Sequence, residues 1–256
     1  MRIPFANSQL TLAVASNSQV PRHIAIVMDG NGRWAKKRFM PRVIGHKHGM
    51  DALVGVVRAC ADRGVEYLTV FAFSSENWKR PTEEVSALMN LVLVGLSRYQ
   101  DKLSEEGVRI LFVGDRSHVS DKVRGALEGA EKATAGNGRI TLSVAFDYGG
   151  RWDIVQASRQ AIEAGVSASQ LDEATLSRFM AMSFAPDPDL FIRTGGEVRI
   201  SNFLLWQAAY SELYFSDCLW PDFAEAELDA ALADYARRER RFGLVQPVDP
   251  AAHAKA

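Results

Sequence analysis

Three short clusters in this chain combine residue types that anion chemistry needs. The first is Asp29-Gly30-Asn31-Gly32-Arg33. Its two glycines let the backbone take positive φ and bring amides close to a ligand, and Arg33 adds a planar cationic fork. Asp29 has the opposite sign. A carboxylate beside anion-binding amides is awkward unless a cation such as Mg²⁺ lies between it and a phosphate, because Mg²⁺ uses one or two carboxylates together with phosphate oxygens. The second cluster, SSENWKR at residues 74–80, offers hydroxyls, an amide, an indole and the guanidinium of Arg80. The third sets Arg193, Arg199 and Ser201 around a glycine pair, with Glu212 further on. Gly-Asn-Gly is also an ordinary tight turn, and a single Arg an ordinary surface charge.

Each cluster follows an apolar run of strand character, at residues 24–27, 65–73 and 189–194. The carboxyl ends of strands are where open α/β sheets bind ligands. Further strand patterns lie at 108–114 and 139–148. Between them, Met50, Leu53, Val54, Val57 and Cys60 share one helical face that Gly64 ends, and His46 sits near that helix start, where amides attract anions. Helical patterns also cover residues 83–106, 121–135, 154–164, 174–182 and 225–241. The basic run ending the last reads as a solvated helix terminus. This alternation predicts a single α/β domain with a mainly parallel central sheet flanked by helices. The centre of 83–106, LMNLVLVGL, is apolar nearly all round, so it is either enclosed by core or lines an apolar cavity.

The strings DGNGRWAKKR, GHKHG, FSSENWKRP and RTGGEVRISNFLLWQ together resemble the signatures of the cis-prenyltransferases over most of the chain. The resemblance implies sequential cis-condensation of isopentenyl pyrophosphate onto farnesyl pyrophosphate. The implied product is undecaprenyl pyrophosphate, a lipid-carrier precursor for cell-wall polysaccharide. It implies that the amides of Gly30, Asn31, Gly32 and Arg33, with Trp34, Arg42 and His46, hold the allylic pyrophosphate. Ser74, Ser75, Glu76, Asn77 and Trp78 would form the condensation loop, and Arg80 would contact pyrophosphate. Arg193, Arg199, Ile200 and Ser201 would hold isopentenyl pyrophosphate. Asp29 and Asn77 would be the catalytic residues, with Asp29 and Glu212 holding Mg²⁺. A hydrophobic tunnel would run along the 83–106 helix, with Ala72 and Ile140 lining it, and the protein would be a homodimer. Two residues depart from the family pattern: Asp147 replaces a usual Asn, and Val198 replaces a His found in many bacterial members.

Composition narrows the alternatives. Lys and Arg total 30 against 31 Asp and Glu, which argues against a general nucleic-acid binder. Two cysteines, Cys60 and Cys218, make neither a disulfide framework nor a metal spacing. A phosphohydrolase built on Asp29 would want a second aspartate at DxD spacing, and none follows. A silent subunit would be expected to lose the Asp29 loop or the Arg199 motif, and both are intact. Residues 1–20 read as a disordered leader, 21–243 as the catalytic domain and 244–256 as a flexible tail. The expected location is cytoplasmic, at the inner face of the membrane that takes the product.

Overall fold

The β-branched and aromatic runs become six strands. They are β1 (His23–Val27), β2 (Tyr67–Ser74), β3 (Val108–Val113), β4 (Ile140–Tyr148), β5 (Leu190–Arg193) and β6 (Glu212–Phe215). The structure is a computed structural model that describes residues 20–239, so the expected leader, apart from Val20, and the expected tail lie outside the described residues. The strands pair in the order β3-β4-β2-β1-β5-β6, and every pairing is parallel. β1 is buried at all five positions, as a central strand covered on both faces must be.

Helices α1 (Asn31–Lys37), α2 (Arg42–Asp62), α3 (Thr82–Glu105), α4 (Asp121–Ala133), α5 (Gly150–Glu163), α6 (Glu173–Ser177) and α7 (Glu225–Ala236) complete the chain. The pleat sorts the core into two layers. Ile24 and Ile26 of β1 join Leu68, Val70 and Ile110 beneath residues of α2, α4 and α7. Ala25 and Val27 point the other way, toward Ala145, Phe191 and Phe203.

The structure departs from the sequence reading where short-range signals were ambiguous. The Gly-Asn-Gly string is the first turn of α1, entered through Gly30 at φ 111°. Helix α2 starts at Arg42, so His46 lies inside its second turn. Residues 174–182 are helical only up to Ser177. The strand at 190–193 is followed by β6, a four-residue edge strand. A register shift between Phe71 and Phe73 leaves Ala72 unpaired as a bulge in β2.

Candidate active site

Asp29 lies two residues beyond the end of β1, Ser74 ends β2, and Arg193 ends β5, on three adjacent strands. The parallel sheet therefore brings all three clusters to one edge. They open onto a cavity of about 540 Å³. Asp29, Asn31, His46, Ser74, Glu76, Asn77, Arg80, Arg193, Arg199 and Ser201 line its polar part. Its other part is apolar, with Met50 and Leu53 of α2, Leu88, Leu91 and Val92 of α3, Ala72 and Phe146. This resolves the character of α3: Leu88, Leu91 and Val92 border the cavity, while Val85 and Leu103 are buried in the core and most of its other apolar positions pack against that core.

Two glycines of α2 set the position of α1. A Cβ on Gly45 would collide with the Asn31 carbonyl, and one on Gly49 with the Asn31 side chain and with Trp220 Cδ1 at 2.9 Å. Backbone-to-backbone approach there holds the free first-turn amides of α1 beside the cavity.

The cations at the rim are shared between three carboxylates. Asp29 Oδ2 accepts from Arg193 at 2.9 Å, and its Oδ1 lies 3.2 Å from Arg33. Glu84 meets Arg80 at 2.9 Å and Arg42 at 3.5 Å. Glu197 meets Arg199 at 2.6 Å and Arg33 at 3.7 Å. Desolvation works against ionising Asp29, but the Arg193 hydrogen bond and the charges of Arg33 and Arg193 outweigh it and hold the carboxyl below its usual range. Arg193 is buried and also donates to the Arg199 carbonyl at 2.7 Å and Ser201 Oγ at 2.6 Å. Burial, with Arg80 and Arg42 nearby, lowers the His46 pKa to about 4, although Glu84 pulls the other way. His46 is thus neutral at pH 7.

Asn31 Oδ1, His46 Nε2 and Arg193 Nε are buried without a hydrogen-bond partner, and all three belong to residues lining the cavity. Buried polar atoms left unmatched are uncommon and call for a specific partner.

Not every expected residue reaches the cavity wall. Gly30 packs against Leu219, and Gly32 lies beneath the Arg42 side chain. Arg33 and Arg42 stand at the rim through their carboxylate partners. Trp34 is buried and donates to Asp222 Oδ1 at 2.6 Å, while Arg38 stacks over its ring at 4.0 Å. Trp78 packs edge-on against Phe73, and Ile200 packs into the opposite core layer. Ser75, whose Oγ lies against Gly149, and these three hydrophobic residues are outside the cavity lining. Ile140 is fully buried beside Val108, outside the cavity lining.

Glu212 requires a correction. It starts β6, opposite Leu190, whereas Asp29 lies beyond the end paired to Arg193. Three strand residues separate those levels, about 10 Å at the usual rise. Glu212 instead accepts from Arg238 at 2.9 Å. Within one chain it cannot share a cation with Asp29. Asp29 alone, ionised and facing the cavity, fits a Mg²⁺ whose remaining ligands are phosphate oxygens and water.

Several contributors escaped the sequence reading. Asn202 lies at φ 61°, next to Ser201 at 51°, and its side-chain amide donates to Glu76 Oε1 at 2.8 Å, tying two site loops together. Asn tolerates the left-handed region, which is the signal the sequence offered. Glu84 and Glu197 read as solvated charges until their arginine partners are visible. Of the two departures, Val198 is exposed. Asp147 is buried at φ 51° and pairs with His118 Nδ1 at 2.9 Å, an interaction that raises the histidine pKa.

A parallel α/β sheet whose edge carries arginines around a half-apolar cavity defines a protein built for a ligand with an anionic head and an apolar tail. A family model described as "Putative undecaprenyl diphosphate synthase" matches residues 27–243, and the chain belongs to that prenyltransferase family. An isoprenyl transferase of Neisseria gonorrhoeae is 56% identical over 233 residues, 91% of this chain and 93% of that protein. The ditrans,polycis-undecaprenyl-diphosphate synthase ((2E,6E)-farnesyl-diphosphate specific) of Pseudomonas aeruginosa is 56% identical over 228 residues, 88% and 91% of the two chains. Among solved structures, lavandulyl diphosphate synthase from Lavandula x intermedia, in complex with dimethylallyl diphosphate, superimposes with a TM-score of 0.85 at 35% identity, covering 88% of this chain and 99% of that one. The "probable undecaprenyl diphosphate synthase" of Campylobacter jejuni gives 0.76 at 32% identity, covering 87% and 98%. By its family, the chain is a prenyl-group transferase.

Proposed function

We propose that this chain condenses isopentenyl pyrophosphate repeatedly onto farnesyl pyrophosphate, in cis geometry, to give undecaprenyl pyrophosphate. The observation that carries this reading is the division of one cavity into a cationic end with unmatched buried polar atoms and an apolar end between α2 and α3. The activity named for the Pseudomonas relative supports the choice of substrates and product.

In this mechanism the allylic C1–O bond breaks and its electron pair stays on the pyrophosphate. The π bond of isopentenyl pyrophosphate then attacks C1, and a proton leaves the adjoining carbon. Arg33, Arg42 and the first amides of α1 take the leaving group, so that positive charge meets the oxygen as the bond lengthens. Arg193, Arg199 and Ser201 hold the second pyrophosphate with its double bond beside C1. Neutral His46 donates from Nε2 or accepts there according to its tautomer. Asn77 positions the reacting groups, and the departing proton passes to pyrophosphate or water. Mg²⁺ bound by Asp29 and phosphate oxygens would neutralise the charge of the leaving group.

The product suits a lipid carrier for cell-wall polysaccharide, made in the cytoplasm beside the membrane. Incubating the protein with farnesyl pyrophosphate, labelled isopentenyl pyrophosphate and Mg²⁺, then sizing the extracted lipids, tests the reading. Wild type should give a long polyprenyl product. Asp29→Ala should lower the yield by about 10²-fold or more, the scale of a lost electrostatic group. No incorporation by wild type, where an authentic synthase works, would overturn it.

A further inference from the structure

The corner between α1 and α2 carries a side chain that folding alone does not explain. Phe39 is 99% exposed and sits at φ 56°. It occupies the position after the helix cap where glycine is the usual residue. Its N–H donates to the Lys36 carbonyl at 3.1 Å and that of Met40 to Ala35 at 3.0 Å, the paired bonds of a Schellman ending. A bulky residue with φ above zero is an outlier, and strained residues of this kind concentrate where they serve a function. The strain here presents an aromatic ring to solvent.

The neighbours fit one kind of surface. Met40 and Val43 are each 43% exposed. Lys36, Lys37, Arg38 and Arg42 flank them along the chain, with no acid between residues 36 and 43. Arg38 and Arg42 have Asp222 and Glu84 as partners, but neither lysine forms an ion pair among the described residues. An apolar tip inside a cationic collar complements the anionic headgroups and acyl boundary of a bilayer. Arg42 links the corner to the cavity rim through Glu84, which also holds Arg80. We infer that residues 36–43 dock this protein on an anionic phospholipid surface, inserting Phe39 and Met40 while the lysines meet phosphate headgroups. The inference rests on the reading that the product is a membrane lipid.

Flotation of the full chain with vesicles tests it, comparing phosphatidylcholine alone with an equal mixture of phosphatidylcholine and phosphatidylglycerol. Wild type should float with the anionic vesicles, and added salt should weaken that association. Phe39→Gly removes the ring and suits the backbone, so its thermal midpoint should hold or rise while vesicle partition falls about tenfold or more. Lys36→Glu with Lys37→Glu should lower partition similarly. Both variants should keep wild-type condensation in detergent without vesicles. Flotation unchanged in Phe39→Gly, or equal binding of wild type to neutral vesicles, would overturn the inference. A chain that floats through Phe39 yet condenses nothing would overturn the catalytic reading instead.

Discussion

At the scale of residues, the site is held together by charges that already have partners. Asp29 and Glu197 string Arg193, Arg33 and Arg199 into one ion-pair chain, and Glu84 joins Arg80 and Arg42 in a second group at the rim. The motif strings named nearly all of the arginines, because guanidinium groups advertise phosphate chemistry. They did not reveal Glu84 and Glu197, whose roles depend on which arginine lies across a gap. Asn77 accepts from the Ser74 N–H at 3.1 Å and so sets the turn that aims its own loop. Asn77→Ala should therefore lower kcat about 10²-fold with KM nearly unchanged, a positioning loss that steady-state kinetics would separate from weakened binding. Two buried histidines give a pH dependence. His23 donates from Nδ1 to the Pro186 carbonyl and accepts at Nε2 from Thr69, which fixes its neutral form. Burial lowers its pKa to about 4, as it does for His46. The unfolded chain binds these protons near pH 6.5 and the folded chain does not, so stability is complete above 6.5 and is lost as pH falls toward 4. The His23 shift is worth about 3 kcal/mol at most. Thermal midpoints recorded across that window should fall with pH, and His46→Gln should flatten part of the slope.

At the scale of elements, strand and helix types were legible because hydrophobic period and glycine stops are local signals. Features set by neighbours were not. The bulge at Ala72 exists only because β2 slips against β4, and it turns a small side chain into the apolar end of the cavity. The Gly-Asn-Gly string reads equally well as a turn, and only its packing under Gly45 and Gly49 makes it the start of α1. Edge strand β6 has four residues and a mixed burial pattern, too little for periodicity to register. Ala72→Leu should fill cavity space and shift the product distribution to shorter chains without unfolding the protein, as chromatography of the extracted lipids would show.

At the scale of the whole molecule, the mainly parallel fold and its site-bearing edge followed from alternating elements, while the assembly did not. A homodimer remains our proposal. Light scattering at working concentration should give twice the 28.3 kDa chain mass, and a monomer alone would remove it. The sheet order also bears on how the chain comes into being. β1 is among the first strands to be made, yet it lies in the middle of the sheet, and its second neighbour, β5, begins 163 residues after β1 ends, from 190 minus 27. At roughly 5–20 residues per second, a ribosome needs roughly ten to thirty seconds to supply that neighbour. Until then an apolar strand edge stays open, and Asp29 has Arg33 but lacks its buried partner Arg193. Catalytic competence thus arrives late in synthesis, and a nascent chain halted before residue 190 would be inert, sticky and a natural client for a chaperone.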